Sequence, residues 1–207
     1  MFVSDELSRT AYVRTGRTLE LLTILWNSLE AVIAVVAGFV GGSIALVGFG
    51  LDSVIEVSSG VAVLWRLSLD AETERRERLE TTTLKIVGTS FLALAAYVAY
   101  DAIKAIWTRE IPAASYVGVA LSALSLVVMP VLARAKRRIA SRIQSRALHA
   151  DSRQTDICAY LSAIVLGGLV LNALFGFWWA DPISALVMVP IIANEGIKAF
   201  RGKTCCD

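Results

Sequence analysis

Six long runs of apolar residues, separated by groups of charged residues, dominate the pattern of hydrophobic and polar positions along this chain. Each run is close to the ~20 residues that a helix needs to cross the apolar layer of a membrane. We therefore predict six membrane-spanning helices, at Leu19–Val40, Gly42–Trp65, Leu84–Trp107, Ile111–Ala133, Thr155–Trp178 and Pro182–Phe200. The predicted fold class is an all-α integral membrane protein, with residues 1–207 forming a single six-helix transmembrane domain and no separate soluble domain.

Turn and boundary signals fit the same division. Gly41-Gly42 allows a tight turn between the first two spans, because glycine tolerates backbone conformations closed to other residues. Asp181-Pro182 opens the last span, since aspartate caps helix N-termini and proline is tolerated in the first turn. Trp178-Trp179 suits a membrane–water interface.

Composition excludes an ordinary soluble domain. Only 18% of the 207 residues are charged and 56% are hydrophobic, whereas about a quarter of a typical soluble domain is charged. The cysteines give no disulfide framework, so reduced thiols are expected. Cys205-Cys206 makes at most a partial site for a thiophilic metal.

The basic residues are distributed unevenly between the connections. Of the 20 lysines and arginines, only Lys104 and Arg109 fall on one side of the predicted bundle. The positive-inside rule then places both termini in the cytoplasm, for a multi-pass protein of the cell inner or plasma membrane. A basic block lies between spans four and five, and there anionic lipid headgroups are a better partner than nucleic acid. We therefore expect membrane lipid and no nucleic acid as partners.

Two acidic residues, Asp52 and Glu56, stand four positions apart in the second span and so share one helix face. An acidic side chain at mid-depth in a bilayer costs roughly 2.5–3.5 kcal/mol on insertion scales. Two on one face repel each other unless a proton or a cation lies between them. A cation site is the direct interpretation. The alternative is a pair kept protonated, or paired with a basic residue, for structural reasons.

Asn27 and Glu30 share a face of the first span. Glu30 either helps to bind the cation or relay a proton, or it hydrogen-bonds a neighbouring helix, and the sequence leaves both possibilities open.

The beginning of the fifth span is also rich in polar residues. His149, Ser152 and Asp156 fall on one helix face, while Asp151 points about 140° away from Asp156. Asp156 is the deepest of these acids. Alternatively, Asp156 is a negative charge near the N-terminus of the helix, where the helix dipole stabilises it. This alternative suits Asp151 better than Asp156. A lone histidine such as His149 is more often a residue at the cytoplasmic edge of the membrane than a metal ligand.

Carboxylates from two helices suit a divalent cation, and oxygen donors leave the metal open among zinc, manganese and iron. A competing interpretation is an intramembrane aspartyl protease that uses Asp52 and Asp156. Nothing in the chain matches the accessory signatures of such enzymes. We therefore expect no enzyme and no organic cofactor.

Several segments together resemble the cation diffusion facilitator (cation efflux) family. They are Ser43-Ile-Ala-Leu46, Asp52-Ser-Val-Ile-Glu56, Thr155-Asp156 and Trp179-Ala-Asp181-Pro182-Ile-Ser-Ala-Leu186. The resemblance implies a homodimer that exports divalent metal, usually zinc, from the cytoplasm in exchange for protons. It also implies a transport site of two residues four apart on span two and two on span five. On this chain those positions are Asp52, Glu56, Ser152 and Asp156.

The chain departs from the family pattern at three points. Ser152 stands where the family usually has His or Asp, and Glu56 where it usually has Asp. The family commonly carries a cytoplasmic C-terminal domain, and this chain has the pattern of a short form whose dimer would rely on membrane helices. These departures leave the metal open among zinc, manganese, iron, cobalt and cadmium. They also motivate an alternative function, a non-transporting metal-binding or regulatory membrane protein of the same fold.

Overall fold

A computed structural model describes residues 2–68, 73–109, 111–143 and 145–201. Over these residues the chain is helical and contains no strand. The six helices are α1 (Phe2–Gly41), α2 (Ile44–Ser68), α3 (Thr73–Thr108), α4 (Tyr116–Ile143), α5 (Arg146–Phe175) and α6 (Ala180–Phe200). Each contains a segment long and apolar enough to cross a membrane, so the prediction of six spans is confirmed.

Four helices, α1, α3, α4 and α5, extend well beyond their predicted spans, and always at the same end of the bundle. We call this the inner end, where α1 begins and α4 ends, and the opposite end the outer end. Residues 134–153 were expected to form a charged connection, but α4 continues to Ile143 and α5 begins at Arg146. The hydropathy pattern makes these helices too short, because it assumes that every charged residue is exposed.

Four of the helices form a closed ring. α1 packs against α2 and α4, and α5 completes the ring by packing against α4 and α2. α3 and α6 pair with each other and lie outside the ring against α2 and α5. The apolar core fills the space between the two groups, with Phe49, Val98, Leu161 and Met188 among its buried members. The interior of the four-helix ring holds apolar residues such as Met129 together with a group of buried polar side chains.

The polarity of the molecule is the reverse of that of a soluble protein. Large apolar side chains such as Val40, Trp107 and Leu174 are exposed, while Glu20, Asn27 and Lys136 are fully buried. An apolar outer surface suits lipid tails, and polar groups at membrane depth are tolerated where other helices surround them. The burial pattern thus agrees with the membrane assignment.

The outer end of the bundle is joined by hydrogen bonds across helices. Gly42 has φ 65°, a left-handed conformation that favours glycine, and it turns the chain from α1 into α2. The Ser43 N–H donates to the Gly38 carbonyl across this turn (2.9 Å). Asp181, expected to cap its own helix, instead accepts from the Ile44 N–H (2.8 Å) and the Ser43 hydroxyl. The first turn of α2 is thus capped by a carboxylate from α6, which corrects the sequence-based interpretation.

Candidate metal-binding site

Asp52 and Glu56 lie where the sequence predicts, on one face of α2. Glu56 is twelve residues from either end of α2, or about 18 Å at 1.5 Å per residue. Only 4% of Asp52 and 2% of Glu56 is exposed. Both acids therefore point into the bundle, near the middle of its thickness.

The two oxygens of Glu56 differ in their surroundings. Oε1 accepts a hydrogen bond from the Thr155 hydroxyl of α5 (2.8 Å). Oε2 is buried and has no hydrogen-bond partner among the described residues. A buried polar atom without a partner is rare and calls for an explanation such as an ion or an ordered water.

Glu30 is held by hydrogen bonds from two other helices and from its own. Its Oε2 accepts from the Ser125 hydroxyl of α4 (2.6 Å) and the Trp26 indole (2.7 Å). Its Oε1 accepts from Ser53 of α2 (3.2 Å) and makes a long contact with the Cys158 thiol (3.9 Å). Of the two roles left open for Glu30, hydrogen bonding between helices is present in the structure. A role in proton relay stays a prediction.

Asn27 lies one turn from Glu30 on α1 and is fully buried. Neither its amide oxygen nor its amide nitrogen has a partner among the described residues. Leaving such a group unpaired costs about 1–3 kcal/mol. Asn27 therefore calls for an explanation such as an ordered water or an ion.

α5 begins earlier than expected. The Ser145 hydroxyl caps it by accepting from the Leu148 N–H (3.3 Å). Asp151 and Asp156 then lie beyond the first turn, where the macrodipole has little effect. The alternative role of either acid as a helix N-terminal charge is therefore not supported.

The polar residues of α5 divide between two faces. Asp151, Ser152 and Thr155 are buried against the other helices of the ring. The Ser152 hydroxyl donates to the His149 carbonyl (2.7 Å), which leaves its lone pairs available. Asp156 lies about a third exposed and pairs with Arg137 of α4, whose side chain is 40% exposed.

A buried ionic cluster at the inner end was missed by the sequence analysis. The Lys136 ammonium, fully buried, contacts Glu20 of α1 (3.1 Å) and Asp151 of α5 (2.5 Å). Lys136 belongs to the basic block between the predicted spans four and five, for which lipid headgroups were the expected partner. For Lys136 this expectation is wrong, because its side chain is fully buried. Its burial explains why α4 continues past its predicted end, because a paired charge can lie inside a helical bundle.

Helical spacing carried the missing signal. Lys136 continues the inward face of α4 that Met129, Ala133 and Ala140 mark, at steps of three or four residues. Glu20 likewise continues the buried face of α1 that includes Asn27 and Glu30. Periodicity extended through the charged blocks would have placed both side chains inside.

The structure therefore brings Asp52, Glu56 and Ser152 into the ring. Asp156 lies at the partly exposed edge of the ring, paired with Arg137. In the described part of the chain, no group of three or more His, Cys, Asp or Glu side chains is arranged to hold a metal ion. Convergence of Asp52, Glu56, Ser152 and Asp156 on one cation stays a prediction. Cys205 and Cys206 lie outside the described residues.

A ring of membrane-spanning helices with an apolar exterior and carboxylates in its interior defines a polytopic membrane protein of the ion-transport class. Residues 21–202 match the model of the cation efflux transmembrane domain. The chain therefore belongs to the cation efflux family, and the resemblance drawn from its motifs is confirmed. This is a family of transporters, not of enzymes.

Three curated relatives are similar to it over most of its length. Transmembrane protein 163 of Xenopus laevis is 28% identical over 178 residues, covering 86% of this chain and 63% of that protein. An uncharacterized transporter of Methanocaldococcus jannaschii is 25% identical over 180 residues, 84% of this chain and 63% of its own length. Manganese efflux system protein MneS of Bacillus subtilis is 22% identical over 201 residues, 94% of this chain and 69% of its own. The chain thus spans a little under two thirds of the first two relatives.

Proposed function

We propose that this protein exports divalent metal cations from the cytoplasm in exchange for protons. Zinc is the first candidate substrate, followed by manganese, iron, cobalt and cadmium. The observation that supports it best is the pair of buried α2 carboxylates at mid-depth of a membrane bundle. One oxygen of Glu56 has no partner among the residues that the structure describes. The manganese-efflux name of the Bacillus subtilis relative makes manganese the first alternative to test.

The proposed cation site uses Asp52 and the free Oε2 of Glu56 from α2, with Ser152 and Asp156 from α5. Asp156 must first leave Arg137. That pair is partly exposed on both sides, and ion pairs of this kind are worth at most about 1 kcal/mol. A dication beside the α2 acids can therefore compete for Asp156. Asn27, Glu30, Asp151 and His149 remain accessory candidates for water-mediated contacts or proton relay.

Coupling to protons follows from competition for the same oxygens. One set of carboxylates cannot hold protons and a dication at full strength together, so metal binding releases protons and protons displace metal. If the ring opens alternately to the two sides, export of metal is driven by protons that enter from outside. We also propose that both termini lie in the cytoplasm, that the protein resides in the inner or plasma membrane, and that it forms a homodimer.

The test is metal uptake by sealed proteoliposomes that contain the purified protein, with an imposed pH gradient and each of the five metals in turn. Asp52→Asn and Glu56→Gln are expected to reduce metal-dependent proton flux to background. Each substitution removes a negative charge that is needed to bind both the metal ion and the proton. Asp101→Asn on α3, an acid outside the ring, is the matched control and should keep the flux. Full flux in Asp52→Asn would overturn the assigned site.

A second candidate function has its own support. The engagement of Asp156 with Arg137 suits a protein that binds metal weakly or regulates a partner without transporting. Protein that binds zinc in detergent, yet moves no metal in the same liposomes under any gradient, would favour this function over export.

A further inference from the structure

The Thr155 hydroxyl lies between two buried charged groups that come from different helices. The Lys136 ammonium of α4 approaches its oxygen at 3.4 Å, and Oε1 of Glu56 on α2 lies 2.8 Å from it on another side. Lys136 and Thr155 are both fully buried. Neither belongs to the ligand set proposed above.

Hydrogen-bond chemistry fixes the direction of this chain of contacts. An ammonium can only donate, so the Thr155 oxygen faces Lys136 with a lone pair and has a single proton to give elsewhere. The shorter of its two acceptors is Glu56 Oε1, at 2.8 Å. The other is the Asp151 carbonyl of its own helix, at 3.2 Å. The neighbouring positive charge also polarises the hydroxyl and strengthens its bond to a carboxylate.

Lys136 is itself held in place. Its ammonium contacts Glu20 from α1 and Asp151 from α5, and both of these carboxylates are almost wholly shielded from solvent. Moving the ammonium away would leave both buried carboxylates without their cation, so the side chain has little freedom to swing away. The ammonium is therefore a fixed reference point for the Thr155 hydroxyl.

The consequence appears at Glu56. Thr155 donates to Oε1, and Oε2 has no hydrogen-bond partner in the part of the chain that the structure describes. The nearby Cys158 thiol interacts with this carboxylate, but S–H is a weak donor and does not satisfy it. The carboxylate is thus held at one oxygen and available at the other.

We propose that Lys136 and Thr155 are positioning residues for the cation site: together they hold Glu56 through Oε1, so that it binds the metal through Oε2 alone. This inference rests on the proposed export function. It assigns the buried ionic cluster a role in shaping the site, in addition to joining the helices. Partners of this kind, which orient a metal ligand, typically change metal affinity or activity by about 10–100-fold.

The first test compares Thr155→Val with Thr155→Ser in the full chain. Valine keeps the shape and removes the hydroxyl, so KM for the transported metal should rise about tenfold while kcat is unchanged. Serine keeps the hydroxyl and should restore KM. Thr23→Val is the matched control, because Thr23 is almost equally buried and, among the described residues, its hydroxyl donates to the Leu19 carbonyl of its own helix.

The second test places Thr155 and Glu56 in a double-mutant cycle of equilibrium zinc binding in detergent. Thr155→Val should weaken zinc binding in the wild-type background and have little further effect in Glu56→Gln, because the hydroxyl acts through that carboxylate. Equal weakening in both backgrounds would overturn the inference.

An infrared spectrum of the metal-loaded protein gives a readout that a merely structural role would not move. The difference spectrum between wild type and Glu56→Gln isolates the bands of Glu56. These bands should show the wide separation between antisymmetric and symmetric carboxylate stretches that monodentate binding gives, and the separation should narrow in Thr155→Val. A bidentate Glu56 in wild type would overturn the inference, even if Thr155→Val failed to fold.

These outcomes separate the two proposals. If the wild-type protein transports metal and Thr155→Val has the same KM as wild type, the positioning role alone is overturned. Wild-type protein that neither binds nor moves zinc or manganese overturns the export function and the inference together.

Discussion

At the scale of single residues, exposure decides what each ion pair contributes. Lys136 is completely buried between Glu20 and Asp151, whereas the Arg137–Asp156 pair lies partly exposed on the flank of the ring. Breaking a buried pair leaves an uncompensated charge in a medium of low dielectric constant, but water screens the exposed pair. The two cations, adjacent on α4, should therefore differ greatly in their importance for stability.

We expect Lys136→Met to lower the free energy of unfolding by about 3–5 kcal/mol, because Glu20 and Asp151 lose their cation. Arg137→Met should cost no more than about 1 kcal/mol. Thermal or denaturant unfolding of both variants in detergent measures the difference. Adding Glu20→Gln and Asp151→Asn to Lys136→Met should recover stability, and no recovery would contradict this account of the cluster.

Asn27 presents the opposite case, a buried amide that the described part of the chain leaves unsatisfied. Asn27→Leu should leave stability unchanged or raise it by about 1 kcal/mol, because an unpaired polar group is replaced by an apolar one of similar size. Transport should fall if the amide serves a water or the cation. Unfolding curves and liposome uptake on the same preparation separate the two effects.

Asn172→Leu is the matched control for Asn27→Leu. The Asn172 amide donates to the Pro112 carbonyl (3.0 Å), so its loss should lower stability. A large loss of stability in Asn27→Leu would show that the amide has a structural partner after all.

At the scale of the helices, the beginning of α2 depends on α6. The Asp181 carboxylate accepts from the Ile44 N–H and from Ser43, so the first turn of the helix that carries Asp52 and Glu56 is fixed by a distant part of the chain. A cap supplied from another helix also sets the relative height of the two helices. The position of the α2 acids in the bundle thus depends on this contact.

We expect Asp181→Asn to destabilise the protein by about 1–3 kcal/mol, since a charge-assisted bond to a buried backbone donor is weakened. Glu195→Gln, on the same helix, is the control. Its carboxylate pairs with Lys198 at a partly exposed site, where a loss near zero is expected. Equal melting temperatures for the two variants in detergent would contradict the assigned cap.

Close packing between α3 and α6 is a second feature at this scale. A Cβ atom added at Gly88 would lie 2.5 Å from the Phe200 nitrogen and 2.8 Å from the Gly196 oxygen. Small residues are what allow membrane helices to approach this closely. This contact explains why α3 and α6 form a pair outside the ring, separate from the four helices that enclose the polar residues.

At the scale of the whole molecule, the charge distribution predicts the orientation. We expect both termini in the cytoplasm, because nearly all lysines and arginines flank the inner end. Fusions of a fluorescent protein or of periplasmic alkaline phosphatase to the C-terminus measure this directly. Fluorescence without phosphatase activity is the expected result. An active phosphatase would show that the C-terminus lies outside the cytoplasm, and it would contradict the predicted orientation and the proposed direction of transport.

Much of the fold was readable from the sequence, because spans in lipid must be long, apolar and helical. Six apolar runs gave six helices, and the acids of α2 were recognised by their spacing alone. The helix ends at the inner end of the bundle could not be read from the sequence in this way. Glu20, Lys136 and Asp151 look like residues of charged connections until their mutual contacts are known.

The sequence by itself determined that this is a six-helix membrane protein of the cation efflux family, with carboxylates at mid-depth of its second helix. Hydropathy and short motifs are local properties, and they specify those features locally. Only the tertiary structure decided that Asp181 caps α2, that Asp156 faces Arg137, and that Lys136 lies buried beside Thr155 and Glu56. Each of these depends on which residues from distant parts of the chain meet, since the free energy of a buried charge is set by its partners.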